Sequence, residues 1–560
     1  MKNLPFYCAV FLFFLSVYIL FSNQRITTSM DVDVVRYASE YAETGDYGSE
    51  IKLSAGVSFS PKTKLFYPQE GIGIVVPLMV FVHLSDIISP DSQFVLYSFN
   101  QVFSALSVLM IFMIFSLYMT KRKALLYTAL FGLGTPLFVH SKYFLPEPLT
   151  LLSIISSVYF ILKFRREKKS LYIFFSALSA GYSLLTRPDA PIFAGVFIVM
   201  AFYFIIQQDK KQIIKNASFL VLGFSIFAAV FIVSNYQRYG SLLETGYTLD
   251  RNEVKVSLEA EIPLTYEKAA AAYQADQNSK ETSLLVQQFQ SQQKYLEDLN
   301  KVINEYGDGN TAFYSSGAVN FLHGVYLILF SPNRSVFILS PFLLLLLFSL
   351  RKYFKQYKVS FIITGSIFAG YLVLYALRAP LSYAGSAAWG IRYMLPVYPI
   401  LFLSVIFFDR SEILKNKVFR NIFYALCAIS ILFQIIGSSV NYQSVQMPVE
   451  YKSKKIHGDK DMTWAQESRK SMMTDFSSSL LLNNARIMAG VLTPEQKEYG
   501  VDTGPNDWFF YQVLKGEGRL VQGKERSLGD FKLIMFLLLL TIAGTAFYLF
   551  RNLPTQETKK

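Results

Sequence analysis

The 560-residue chain has only two cysteines, Cys8 and Cys427. Both fall inside apolar runs, so neither a disulfide framework nor a thiolate metal site can be assembled. Its histidines, His83, His140, His323 and His457, are scattered without metal-ligand spacing, which removes a histidine metal centre. There is no Gly-rich phosphate loop of the Walker type and no nucleophile elbow, so nucleotide-fuelled and serine-nucleophile mechanisms have no visible support. Charge is also scarce, at 17% of residues against about 25% in an ordinary soluble domain. Ile19-Leu20-Phe21-Ser22-Asn23-Gln24 lacks a small-x-small cleavage site, so the first apolar segment is expected to stay as an uncleaved span. No internal repeat is apparent, which weakens an inverted-repeat transporter.

What is present is apolar sequence of bilayer-spanning length, recurring along most of the chain; 52% of residues are hydrophobic, which predicts a polytopic membrane protein. The net charge of +13 would suggest nucleic acid in a soluble protein. Here Lys and Arg fall mainly in short loops between spans, the pattern that sets topology, and no nucleic-acid role is expected. The basic loops at Lys121-Arg122-Lys123, Arg165 to Lys169, Lys210-Lys211, Arg351-Lys352, Arg410 to Arg420 and Arg551 are placed in the cytoplasm. Besides Leu4 to Phe21, spans are expected near 101–120, 124–143, 147–164, 170–187, 190–207, 217–235, 336–350, 359–377, 394–408, 421–440 and 533–550. The fold class is therefore all-α, with about twelve transmembrane helices and both termini inside. Two apolar stretches, Gly71 to Ile88 and Phe321 to Phe330, are assigned to the interface. The first would break the charge order if it crossed, and the second is too short.

The bulky loops then lie outside. Residues 1–440 read as one membrane module with an outer insertion at about 250–312, rich in Gln, Glu, Lys and Ala and expected to be helical. Residues 441–531 form a polar and aromatic outer loop domain, and 532–560 the last span with a cytoplasmic tail.

Just past the first span stand two carboxylates, in Ser29-Met30-Asp31-Val32-Asp33-Val34-Val35-Arg36-Tyr37. Carboxylates near membrane depth cost energy to desolvate and are usually functional; the plainer reading is a helix cap. A second outer turn, His140-Ser141-Lys142-Tyr143-Phe144-Leu145-Pro146-Glu147-Pro148, puts Lys142 and Glu147 on the same side. Those two could simply pair or snorkel, but two prolines around Glu147 exceed what a turn requires. Arg187-Pro188-Asp189 offers a fork-shaped phosphate donor, or an ion pair that closes the turn. Further outer segments are Asn235-Tyr236-Gln237-Arg238-Tyr239-Gly240-Ser241-Leu242-Leu243-Glu244-Thr245-Gly246-Tyr247, Ser331-Pro332-Asn333-Arg334 and Trp389-Gly390-Ile391-Arg392-Tyr393-Met394-Leu395-Pro396. Boundary arginines usually cluster inside, so Arg392, predicted outside, is the best single phosphate ligand. Carboxylates suit a general base and arginines a phosphate leaving group.

The order of these motifs resembles the GT-C superfamily of integral-membrane glycosyltransferases, in particular bacterial relatives of protein O-mannosyltransferases and lipid A aminoarabinose transferases. The likeness runs from the N-terminus to about residue 440. It implies a sugar donor on a polyprenyl phosphate at the outer leaflet of the bacterial cytoplasmic membrane, and inversion at the anomeric carbon. The acceptor would be a hydroxyl on a lipid, glycan or protein. Asp31 or Asp33 would be the base and Glu147 the second acidic residue. Arg392 and Arg334 would hold the phosphate, with Tyr393, Lys142 and Arg187 also binding substrate. No cofactor is demanded. Where family members use a divalent cation such as Mg or Mn, Asp31, Asp33 and Glu147 would supply the oxygens. Many relatives carry adjacent acidic residues in the first outer loop, whereas a valine separates them here. The competing expectations are a flippase or transporter of a lipid-linked saccharide, a surface-polysaccharide polymerase or ligase, and a scaffold that docks through 441–531.

Overall fold

The computed structural model describes residues 3–24, 29–45, 48–51, 57–68, 71–89, 93–246, 248–249, 251–277, 279–306, 318–377, 389–409, 412–441, 443–457, 478–505, 507–515, 520–521, 524–525 and 528–553. The protein is an all-α polytopic membrane protein; strands among the described residues amount to two small hairpins, Val57–Phe59 with Phe66–Pro68 and Leu520–Val521 with Lys524–Glu525. In lipid every backbone polar group must find its partner inside the chain, so helices are the expected solution.

Five helical segments are long and apolar enough to cross a bilayer: Glu147–Glu167, Lys210–Tyr239, Arg392–Asp409, Lys417–Ser439 and Phe531–Arg551. Seven shorter apolar helices accompany them, including Leu4–Leu20, Phe99–Phe115, Ser170–Thr186 and Ala190–Ile205. Ile72–Ile88, assigned to the interface by the charge order, and Phe321–Phe330, assigned there by its shortness, are among these seven. Two expected spans are broken instead. Residues 124–143 form Lys121–Gly134, a break at Thr135-Pro136, and the short helix Leu137–His140. Residues 336–350 form Val336–Leu339, a break at Ser340-Pro341, and Phe342–Leu346. Proline removes a helical donor at each break, and the freed groups stay buried in protein, the one place where a membrane tolerates such interruptions. At the first break Thr135 Oγ1 donates back to Phe131 O at 2.7 Å, and Ser340 Oγ donates across to Gly134 O at 3.0 Å.

The lipid face shows in the exposed apolar side chains. On the Lys210–Tyr239 helix they include Val221, Leu222, Val230 and Val233, and on the last helix Leu533, Phe536, Leu540 and Phe547. That last helix packs against Leu4–Leu20 and so closes the bundle on the first span.

Outside the bundle, the insertion is a helical hairpin, Arg251–Ala275 and Lys280–Tyr306. Its Val254 and Leu258 are buried with Tyr37, Phe59 and Phe66. The hairpin therefore stands on the helix Ser29–Thr44 and the first β-hairpin. The 441–531 region contributes the helices Gln443–His457, Leu480–Met488, Pro494–Glu498 and Phe509–Lys515. It is tied to the bundle by Phe509 N–H donating to Ser22 O at 2.8 Å and Trp508 Nε1 to Ser438 Oγ at 3.0 Å.

Candidate active site

Glu147 is the first residue of the Glu147–Glu167 helix, between Pro146 at the N-cap and Pro148 in the first turn. Proline costs no helical hydrogen bond there, and the positive end of the helix dipole favours a carboxylate. Asn100 holds the turn before it by donating to the Tyr143 and Leu145 carbonyls. Thr150 Oγ1, one turn on, donates to Pro146 O at 2.9 Å and is 2.8 Å from Thr186 Oγ1, which brings the end of the next helix alongside.

Arg187, the residue after Thr186, therefore arrives beside Glu147. Its Nη1 donates to Glu147 Oε1. Its other edge forks onto Asp189, with Nε to Oδ1 at 2.8 Å and Nη2 to Oδ2 at 3.0 Å. Nη2 also donates to Tyr375 Oη at 3.0 Å, and Tyr375 Oη donates to Asp189 Oδ2. Arg392 approaches from a third direction, its Nε 3.4 Å from Glu147 Oε1. Tyr393 lies against both cations, 5.0 Å from Arg187 Cζ and 4.9 Å from Arg392 Cζ, and stacks on Tyr375 at 5.0 Å. Two carboxylates and two guanidiniums are thus buried together, with Glu147 fully buried. Within this cluster Glu147 Oε2 is buried without a hydrogen-bond partner.

The segment that delivers Arg392 is braced from behind. His140 Nε2 lies 2.9 Å from Trp389 O, and Trp389 Nε1 donates to Gln434 Oε1 at 3.0 Å. Gly390 takes a left-handed φ of +67°, and a Cβ there would stand 2.9 Å from Leu339 Cδ1, so glycine is required on both counts.

Of the residues singled out from the sequence, Glu147, Arg187, Arg392 and Tyr393 come together. Arg334 is buried in the turn between Ser331 and Ser335, with its carbonyl 3.6 Å from the Cβ position of Gly390. Lys142 points elsewhere: its ammonium donates to Asp507 Oδ2 at 2.7 Å and to the carbonyls of Ser438 and Val440, each at 3.1 Å. Asp31 and Asp33 lie near the start of the Ser29–Thr44 helix, and their side chains fall outside the described residues.

Sequence reading missed Tyr375, which sits in an apolar helix and gives no signal there. It also passed over Asn235 and Arg238 within a quoted segment. These two line a narrow pocket on the far side of Arg187, closed by Gly71, Pro188 and Gly246. Arg238 Nη2 donates to Asn235 Oδ1 at 2.7 Å, while Asn235 Nδ2 is buried without a partner. The close approach of Gly71 to Leu185, whose carbonyl would stand 1.9 Å from an added Cβ, seats the Ile72–Ile88 helix against this wall.

Among the described residues no three His, Cys, Asp or Glu side chains converge. A dication at Glu147 would meet the guanidiniums of Arg187 and Arg392, so the residues described at this cluster do not fit one.

Residues 76–236 match the family described as dolichyl-phosphate-mannose-protein mannosyltransferase. That stretch is related to the GT-C glycosyltransferases. No curated protein matches the chain. Among solved structures, the Archaeoglobus fulgidus oligosaccharyltransferase tethered to an acceptor peptide aligns at 13% identity and a TM-score of 0.45. The alignment covers 83% of this chain, which spans 59% of the length of that one. ArnT from Cupriavidus metallidurans aligns at 11% identity in two states. The apo state gives a TM-score of 0.38 over 86% of this chain and 79% of that one. The state bound to undecaprenyl phosphate gives 0.35 over 88% and 81%. The matched stretch contains Glu147, Arg187, Asp189 and Asn235, while Tyr375, Arg392 and Tyr393 of the same cluster lie beyond it.

Proposed function

We propose that this protein transfers a sugar from a polyprenyl-phosphate donor to a hydroxyl of a lipid, glycan or protein acceptor, with inversion. It would act on the extracytoplasmic face of a bacterial cytoplasmic membrane. The observation that carries this reading is the buried Glu147, compensated by Arg187 and Arg392 yet keeping one carboxylate oxygen unpartnered. A buried acceptor atom without a partner calls for an explanation, and a bound substrate hydroxyl or water supplies one.

The chemistry follows from these groups. The acceptor oxygen attacks the anomeric carbon while its proton passes to a carboxylate of the Ser29–Thr44 helix, Asp31 or Asp33. The bond from the anomeric carbon to the phosphate oxygen breaks, and its electron pair leaves with the polyprenyl phosphate. That leaving group is already an anion, so no general acid is needed. Arg392 is assigned to its phosphate, with Arg334 from the adjoining turn as the second cation; a guanidinium binds phosphate oxygens in pairs. Arg187 has its fork occupied by Asp189 and serves to hold Glu147 and Tyr393 in place. Lys142 is not assigned to the donor, because its three N–H groups are engaged by Asp507 and two carbonyls. The narrow pocket at Asn235 and Arg238 is the natural place for a further polar group of donor or acceptor.

The test is transfer in proteoliposomes from radiolabelled polyprenyl-phosphate sugars, with membrane extract as acceptor. Wild type is compared with Asp31→Asn, Asp33→Asn and Glu147→Gln. Loss of a general base should cost about 10²- to 10⁴-fold in kcat while donor binding survives. Label appearing in the opposite leaflet without any transfer would make the protein a flippase instead.

A further inference from the structure

The helix that begins at Glu147 carries Arg165 eighteen residues on, near its other end. At 1.5 Å per residue the two lie about 27 Å apart, close to the thickness of a hydrocarbon core. A group at Arg165 therefore sits at head-group depth in the leaflet opposite Glu147. A partly open cavity of about 90 Å³ lies at that depth. It lies between this helix, Ala190–Ile205, Lys358–Leu377 and the segment ending at Asp409. Its walls are apolar, formed by side chains such as Ile161, Met200, Ile367 and Leu403, with Arg165 and Tyr357 on its lining as well.

The charge around this end is one-sided. Arg165 is exposed, with its guanidinium 5.4 Å from the Phe204 ring, and among the described residues no ion pair engages it. The neighbouring acid, Glu167, is already taken by Lys163 at 2.5 Å and Lys169 at 3.4 Å. Arg166, Lys168, Lys352, Lys355 and Lys358 add further positive charge in the adjoining segments. An apolar cavity between helices with an unpaired guanidinium at head-group depth matches an acyl chain joined to an anion. The donor of the proposed reaction does not satisfy it, since its phosphate belongs at the Glu147 end and would leave Arg165 without a partner.

We propose that this cavity binds an anionic glycerophospholipid of the leaflet opposite Glu147, with one acyl chain inside and the phosphate at Arg165. The site is separate from the proposed transferase centre, and only the exclusion of the donor as its occupant rests on that proposal. The basic ring favours a net anionic head group over a zwitterionic one, because surrounding Lys and Arg attract the extra charge.

The test uses the full chain, purified from nanodiscs holding equal phosphatidylglycerol and phosphatidylcholine, with retained lipid counted by native mass spectrometry. Wild type should keep phosphatidylglycerol in excess. Arg165→Gln should cut that excess about five-fold, the contribution of one basic residue near a membrane surface. Leu403→Trp, which fills the cavity, should reduce retention of both lipids. An Ile367→Trp variant repeats the filling from another wall in case the first fails to fold. Equal retention of the two lipids by wild type, or an excess that Arg165→Gln leaves unchanged, overturns the proposal. Recovery of a polyprenyl lipid in their place overturns it as well.

Discussion

Arg187 holds two carboxylates with one planar group, and that geometry decides what can replace it. A lysine keeps the charge but offers a single point donor where the structure uses a fork onto Asp189 and a third bond to Glu147. Arg187→Lys should therefore cost about 1.5–3 kcal/mol, the scale of one lost charge-assisted hydrogen bond. Arg187→Met should cost about 3–5 kcal/mol, because it strands Glu147 and Asp189 as buried charges. Thermal unfolding in detergent reads both, and equal melting of the two variants would show that charge alone matters. Much of this cluster was legible in the chain. Prolines on both sides marked Glu147, and the Arg-Pro-Asp turn announced its own ion pair. Arg392 stood out because the charge order predicts it on the side where boundary arginines are rare. Tyr375 was not legible, since a tyrosine in an apolar helix looks like packing until its hydroxyl is seen between Arg187 and Asp189.

At the scale of elements, the site depends on where helices stop. The Trp389-Gly390 segment is pinned by a helix with no catalytic residue of its own, Lys417–Ser439, through Gln434 and Gly437. A Cβ on Gly437 would stand 2.4 Å from Trp389 Cε2, so Gly437→Ala must push the indole and strain its bond to Gln434. Overpacking of this kind costs about 1–3 kcal/mol, and here it would also shift Arg392. The expected result is a lower melting temperature together with a raised KM for donor; an unchanged KM would mean the segment repositions without consequence. Sequence alone marks apolar helices by their composition, and five of them are long enough to cross a bilayer. It marks breaks poorly. Pro136 and Pro341 lie within apolar runs that read as single spans at 124–143 and 336–350. Only the neighbours that re-satisfy the freed backbone show why the interruption is tolerated.

For the whole molecule, the telling contact joins residues 365 positions apart, Lys142 of the turn before Glu147 and Asp507 of the 441–531 region. Both side chains are about 1% exposed, and two carbonyls at the end of the Lys417–Ser439 helix complete the ammonium's shell. Nothing in the local sequence of either residue predicts this, so Lys142 read as a substrate ligand for the same reason that makes it a good latch: a cation at membrane level wants an anion. Removing one partner of a buried pair costs about 3–5 kcal/mol, whereas replacing both with apolar groups of similar volume is often neutral. Lys142→Met and Asp507→Leu should each lower the melting temperature and reduce transfer, by loosening the turn that carries Glu147. The double variant should recover most of the stability. If the two single effects add instead, the pair is not coupled and the 441–531 region is held by its other contacts, Trp508 on Ser438 and Phe509 on Ser22. Recovery of stability with transfer still lost would show that the charge pair, beyond holding the regions together, sets the position of Glu147.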